Sequence, residues 1–122
     1  MIKRLSAVDL AVSDLRAAVD TLQRNFGLKL DRTNGDVEAV LSIGGAAIRL
    51  IASSQASTRP ASGSEGMVGL WLEAQDVAAV TASLARAGFG ELRLKVEPGR
   101  RVLEIAPAGP AEPWLFIFDR HV

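Results

Sequence analysis

The chain repeats itself at a fixed offset, and that repeat constrains its fold more than any other feature. Residues 5–12 alternate, with Val8, Leu10 and Val12 on one face and Ala7, Asp9 and Ala11 on the other, as a half-buried strand requires. Ser13 or Asp14 then caps a predicted helix in which Leu15, Ala18, Val19, Leu22 and Phe26 recur at helical spacing until Gly27 ends it. Asp76 stands 62 positions after Asp14, and at that offset Val8 matches Leu70, Leu10 matches Leu72, Leu15 matches Val77, Leu22 matches Leu84 and Arg24 matches Arg86. The second copy therefore reads as a strand over 67–73 and a helix striped by Val77, Val80, Leu84 and Ala87 that closes within 88–90.

The segments C-terminal to each helix are repeated as well. Three β-like runs, 28–31, 37–43 and 46–52, are divided by the turn signals Asn34-Gly35 and Gly44-Gly45. Three more, 91–96, 101–106 and 114–119, are divided by Pro98-Gly99 and by a Pro/Gly/Ala segment over 107–113. The expected fold is α+β: two tandem βαβββ modules, 1–52 and 67–122, forming one cupped mixed sheet with the helices packed on its outer face. At 122 residues the modules share a single domain. Between them, 53–66 lacks bulky apolar residues and reads as a linker, with a mobile lid as the alternative.

Composition narrows the function classes. Lys+Arg 14 balance Asp+Glu 14 without a clustered basic run, so a nucleic-acid partner has no electrostatic support. The absence of cysteine removes disulfide scaffolds, zinc ribbons and thiol chemistry. No segment approaches the roughly 20 apolar residues that span a bilayer, and the N-terminal apolar stretch is interrupted by Asp9 and Asp14 with no cleavage site after it. A cytoplasmic protein with no membrane partner is expected. No Gly-rich phosphate loop or G-x-S-x-G elbow is present, and the single histidine, His121, reads as a solvated tail residue. The run KVEPGRR reads as a solvated hairpin, and the stripe Ala78, Ala82, Ala85 as a packing surface against the sheet or a second subunit.

The stretches VDLAVSDLRAAVDTLQRNFGLKL and VGLWLEAQDVAAVTASLARAGF resemble the opening strand and helix of the two modules in vicinal oxygen chelate proteins, the glyoxalase, bleomycin-resistance and extradiol dioxygenase superfamily. The resemblance covers nearly the whole chain. It implies a divalent metal held by a His or Gln from each first strand and a Glu from each last one, because octahedral coordination with open positions needs ligands converging from several strands. In many relatives the first-strand His lies seven residues before the capping Asp. Here those positions are Ala7 and Gly69, and neither can bind metal. With Ile48 and Leu50 turned towards the helix, the cup face of 46–52 carries Ala47, Arg49 and Ile51; the cup face of 114–119 carries Trp114, Phe116 and Phe118, backed by Leu115 and Ile117. The expected site thus has no metal and no cofactor, and no catalytic residue is identified. The resemblance also implies a homodimer, built by packing or by exchanging modules.

The ligand-binding candidates are Asp9, Arg49, Trp71, Glu73, Trp114, Phe116 and Phe118. Four of the chain's six aromatic residues, Trp 2 and Phe 4 in all, fall on the cup face. They serve either as a stacking surface for a planar or apolar organic molecule or as core filling the cup. Arg49 and Asp9, on neighbouring strands, are expected to pair, with a guanidinium free to hold a ligand acid as the sharper alternative. Asp9 and Glu73 are the oxygen donors left for a weak metal site, and Glu73 is either a desolvated general base or a strand-end carboxylate in water. Three functions are compatible with these residues: a metal-independent small-molecule binding protein, an enzyme of lyase, isomerase or dioxygenase type with a noncanonical site, and a degenerate module kept for dimerisation or partner binding. The first is preferred.

Overall fold

The computed structural model describes residues 2–53, 66–88, 91–107 and 113–120. The first module contains β1 (Ile2–Val12), α1 (Leu15–Phe26), β2 (Lys29–Asn34), β3 (Glu38–Ile43) and β4 (Ala46–Ala52). The second contains β5 (Gly66–Ala74), α2 (Val77–Arg86), β6 (Leu92–Glu97), β7 (Arg100–Ile105) and β8 (Trp114–Arg120). Residues 54–65 of the expected linker, 89–90 after the second helix, 108–112 and His121 lie outside the described residues.

The strands form one eight-stranded sheet in the order β2-β3-β4-β1-β5-β8-β7-β6. Within each module the first strand lies parallel to the last, β1 to β4 and β5 to β8, while the remaining pairs are antiparallel, so the sheet is mixed. The modules join edge to edge through the antiparallel pair β1–β5. The β1 strand starts earlier than its alternation predicts, because Lys3 and Arg4 continue the ladder beside the acidic end of β5, where Arg4 pairs with Glu73.

Local chemistry explains the helices. Asp14 and Asp76 both act as N-caps: the Asp14 carboxylate accepts from Ala17 N at 3.1 Å, and that of Asp76 from Ala78 N at 2.9 Å and Ala79 N at 3.3 Å. Gly27 ends α1 at φ 69°, a left-handed conformation that favours glycine. Both helices cover the same face of the sheet. Leu15 buries against Ala39, Leu41 and Leu50, and Val77 against Ala74, Leu103 and Ile117. Ala78, Ala82 and Ala85 are exposed, so this stripe does not pack on the sheet as one of its two expected roles required.

The helix side also holds a buried carboxylate that is not among the candidates read from the sequence. Asp119 lies beyond Leu115 and Ile117 on that face, is 2% exposed, and accepts from Val77 N at 2.8 Å at the start of α2. Arg101 closes the arrangement, donating to Asp119 through Nε at 3.2 Å and Nη2 at 2.5 Å and reaching Asp76 at 3.3 Å. The hydrogen bond with Asp119 is the main cause that raises the Arg101 pKa further. The network ties the N-terminus of α2 to two strands.

Candidate functional site

The repeat and the strand pairing together define equivalent positions across the cup. Ala7 pairs with Ala47 and Gly69 with Trp114, so the 62-residue correspondence between β1 and β5 extends to β4 and β8. Asp9 beside Arg49 in the first module is then equivalent to Trp71 beside Phe116 in the second. The same register places Arg49 and Phe116 on the face away from the helices, as alternation requires.

The first pair is an ion pair. Arg49 donates through Nε to Asp9 Oδ1 at 2.9 Å and through Nη2 to Oδ2 at 2.7 Å, a bidentate fork on a carboxylate that is fully buried. Burial alone would lower the Arg49 pKa; the hydrogen bonds and charge of Asp9, with the charge of Glu38, outweigh it and raise the pKa. The second pair is a ring stack, with Trp71 and Phe116 centroids 4.2 Å apart and an interplanar angle of 16°. The two pairs meet at the module seam, where Trp71 Nε1 donates to Asp9 Oδ2 at 3.0 Å.

Gly69 makes room for that junction. A Cβ there would lie 2.7 Å from Asp9 Oδ2, so the Asp9 carboxylate occupies the space a side chain at position 69 would need. The absent side chain, which the sequence presents only as a missing ligand, is thus a packing requirement of the ion pair.

Glu73 lies nearer the rim, 6% exposed, bonded to Arg4 Nε at 2.9 Å with Lys3 and Arg120 each at 3.7 Å. The hydrogen bond from Arg4 is the main cause that holds its carboxyl below the usual range, against the opposing effect of burial. Glu73 is therefore not the strand-end carboxylate in water considered from the sequence, and a carboxylate so surrounded by cations is a poor base, which weighs against the other alternative, a general base.

Above these residues the cup holds a cavity of about 550 Å³. Trp71 and Phe118 form its aromatic wall, and Ala7, Ala47 and Val40 leave it open by their small size. Among the described residues Arg32, Arg49, Arg100 and Arg120 all line it. Sequence alternation places only Arg49 of these four among the cup candidates. The lining corrects the reading of KVEPGRR as a merely solvated turn, since Pro98, Gly99 and Arg100 border the cavity. Alternation assigns residues to faces, but the curl that brings the sheet's outer strands over its centre is a tertiary property. Arg49 and Arg100 lie 5.8 and 5.4 Å from the Trp71 ring centroid, and Arg100 and Arg120 lie 5.8 and 5.7 Å from that of Phe118.

The remaining aromatic candidates sit apart from the cavity. Phe116 is buried between Trp71 and Trp114, stacked on both, and acts as core. Trp114 borders a separate recess with Leu92, Arg93 and Glu104.

This fold has counterparts among known proteins. The sequence model of the Glyoxalase/Bleomycin resistance protein/Dioxygenase superfamily matches residues 4–105. The chain belongs to this superfamily. Methylmalonyl-CoA epimerase from Mycobacterium tuberculosis superposes with a TM-score of 0.67 at 23% identity, covering 99% of this chain and 90% of the epimerase. A Streptomyces coelicolor methylmalonyl-CoA epimerase, solved with 2-nitronate-propionyl-CoA, gives 0.65 at 18% identity, covering 100% and 97%. A hypothetical protein from Bacillus halodurans gives 0.64 at 16%, covering 98% and 95%. At these identities the likeness concerns the fold. No curated protein sequence matches the chain.

Within the superfamily fold, the side chains of this cup do not fit the metal that the sequence resemblance implies. The first-strand ligand positions hold Ala7 and Gly69, and the last-strand faces hold Arg49, Phe116 and Phe118. Asp9 is engaged by Arg49 and Trp71, and Glu73 by three cationic side chains. Among the described residues no group of three or more His, Cys, Asp or Glu is placed to hold an ion. A dication at the centre would face guanidinium groups in place of carboxylates. No described helix is long and apolar enough to cross a membrane.

Proposed function

We propose that this superfamily member is a metal-independent binding protein for a small organic molecule, taken into the cup against Trp71 and Phe118. The observation that carries this reading is the closed Asp9–Arg49–Trp71 junction. It satisfies the buried carboxylate without a cation from solution, while the cavity above it stays open at about 550 Å³, within the ordinary range for small-molecule sites. A flat ligand stacked on Trp71 gains apolar contact with little rotamer entropy to lose. The binding unit is expected to be a cytoplasmic homodimer.

Tryptophan emission tests the reading. With Trp114→Phe leaving Trp71 as the only indole, saturable quenching or a spectral shift by planar aromatic compounds is the expected result. An unchanged emission across neutral, acidic and basic compounds would overturn it.

A second reading, an isomerase of the same superfamily, draws support from the epimerases among the similar structures. Proton abstraction needs a base, and the two buried carboxylates of the cup are both held by cations. Deuterium incorporation from heavy water into methylmalonyl-CoA, lost in Glu73→Gln, would favour this reading over the first.

A further inference from the structure

We infer that the ligand of the cup is an organic dianion with acid groups at opposite ends of a flat body, an inference that rests on the binding reading above. It begins with local charge. The whole chain is formally neutral, with 14 cationic and 14 anionic residues. Around the cup the balance differs. The four lining arginines, together with Lys3 and Arg4, which share Glu73 with Arg120, make six cationic side chains. Their carboxylate partners among the described residues are four: Asp9 for Arg49, Glu38 for Arg32, Glu97 for Arg100, and Glu73 for the other three. Each lining arginine thus has a carboxylate partner, but Arg120 shares Glu73 with Lys3 and Arg4, which lie outside the lining, so Arg120 is the one least compensated.

Strand order divides these cations. Arg32 on β2 and Arg49 on β4 lie on one side of Trp71 on β5, whereas Arg120 on β8 and Arg100 on β7 lie on the other. Guanidinium groups from both sides approach the Trp71 ring, Arg49 at 5.8 Å and Arg100 at 5.4 Å. Asp9 occupies two of the five N–H donors of Arg49, so the outer edge of that fork retains donors for a ligand acid. On the far side the Arg120–Glu73 contact is long, 3.7 Å, and the Arg120 side chain is 64% exposed, so it can turn towards a second acid group at little cost. A flat body between the two acids would lie on Trp71.

Calorimetric titration of the full chain with four naphthalene probes tests this. They are 2-naphthalenemethanol (neutral), 2-naphthoate (one charge), naphthalene-2,6-dicarboxylate (two charges at opposite ends) and 2-naphthyl phosphate (two charges at one end). The dicarboxylate is expected to bind about tenfold tighter than 2-naphthoate, since one further charge-assisted contact is worth about that factor. It should also lose the most affinity as salt is raised. Arg100→Gln and Arg120→Gln should each reduce the dicarboxylate's advantage, whereas Arg16→Gln on α1 should leave it unchanged. Equal binding of all four probes, or of the naphthoate and the dicarboxylate, would overturn the inference and leave the cup as a binding site. Naphthyl phosphate binding as tightly as the dicarboxylate would overturn the division of charge between the two sides. If none of the four binds, the inference and the binding reading fail together.

Discussion

At equivalent positions of the repeat, the first module carries an ion pair, Asp9–Arg49, and the second carries a ring stack, Trp71–Phe116. Three pairs of helix-facing positions have not diverged in this way. Leu10 and Leu72, Leu50 and Ile117, and Leu15 and Val77 remain apolar, because each packs beneath or within a helix that needs the same interface. The cup face is free of that demand and needs only mutual satisfaction. A carboxylate can be met by an arginine and an indole can be met by a phenyl ring. The halves are coupled where Trp71 donates to Asp9, so the polar half depends on the aromatic half for one of its hydrogen bonds.

The contrast can be broken from either side, and the expected losses fall in order. Phe116→Ala removes the middle ring of a stack and should cost about 3–5 kcal/mol in urea unfolding, with little dependence on salt. Arg49→Ala leaves Asp9 buried without its cation and should cost about 3–5 kcal/mol. Here the double substitution Asp9→Leu/Arg49→Met should restore part of the loss, since an apolar pair of similar volume leaves no buried charge while the Trp71 N–H loses its acceptor. A double variant no more stable than Arg49→Ala would refute this reading of the pair. Gly69→Ala pushes a methyl into the Asp9 carboxylate and should cost about 1–3 kcal/mol, a loss that Asp9→Ala should partly relieve.

The weakest effect is electrostatic. The folded-state carboxyl of Glu73 is held below its ordinary value near 4.5, so its contribution to stability is present above that value and is lost as pH falls through the folded one. The stability gap between the wild type and Glu73→Gln should therefore narrow below about pH 4.5, read from thermal melts across an acid series. A gap that widened with acid would reverse the sign.

Much of this architecture is legible in the sequence. The offset between Asp14 and Asp76 reveals the doubled module, and alternation places Arg49 beside Asp9 and the β8 rings on the cup face. Other features are not legible there. Arg32, Arg100 and Arg120 reach the cavity through sheet curvature and a folded-over hairpin, which periodicity does not encode. Gly69 looks like a lost ligand until the ladder shows it facing Asp9. Asp119 does carry a signal: beyond Leu115 and Ile117 it continues the helix-facing side of β8, where a charge demands partners, and Arg101 with Val77 N supplies them.

The proposed metal-independent function depends on the Asp9–Arg49–Trp71 junction staying closed to cations. Calorimetric titration of EDTA-treated protein with Mn, Co, Ni and Zn ions puts it to the test. No saturable heat and no rise in Tm at millimolar ion is the expected result. One-to-one binding that is lost in Asp9→Asn would show that the junction opens to a metal after all.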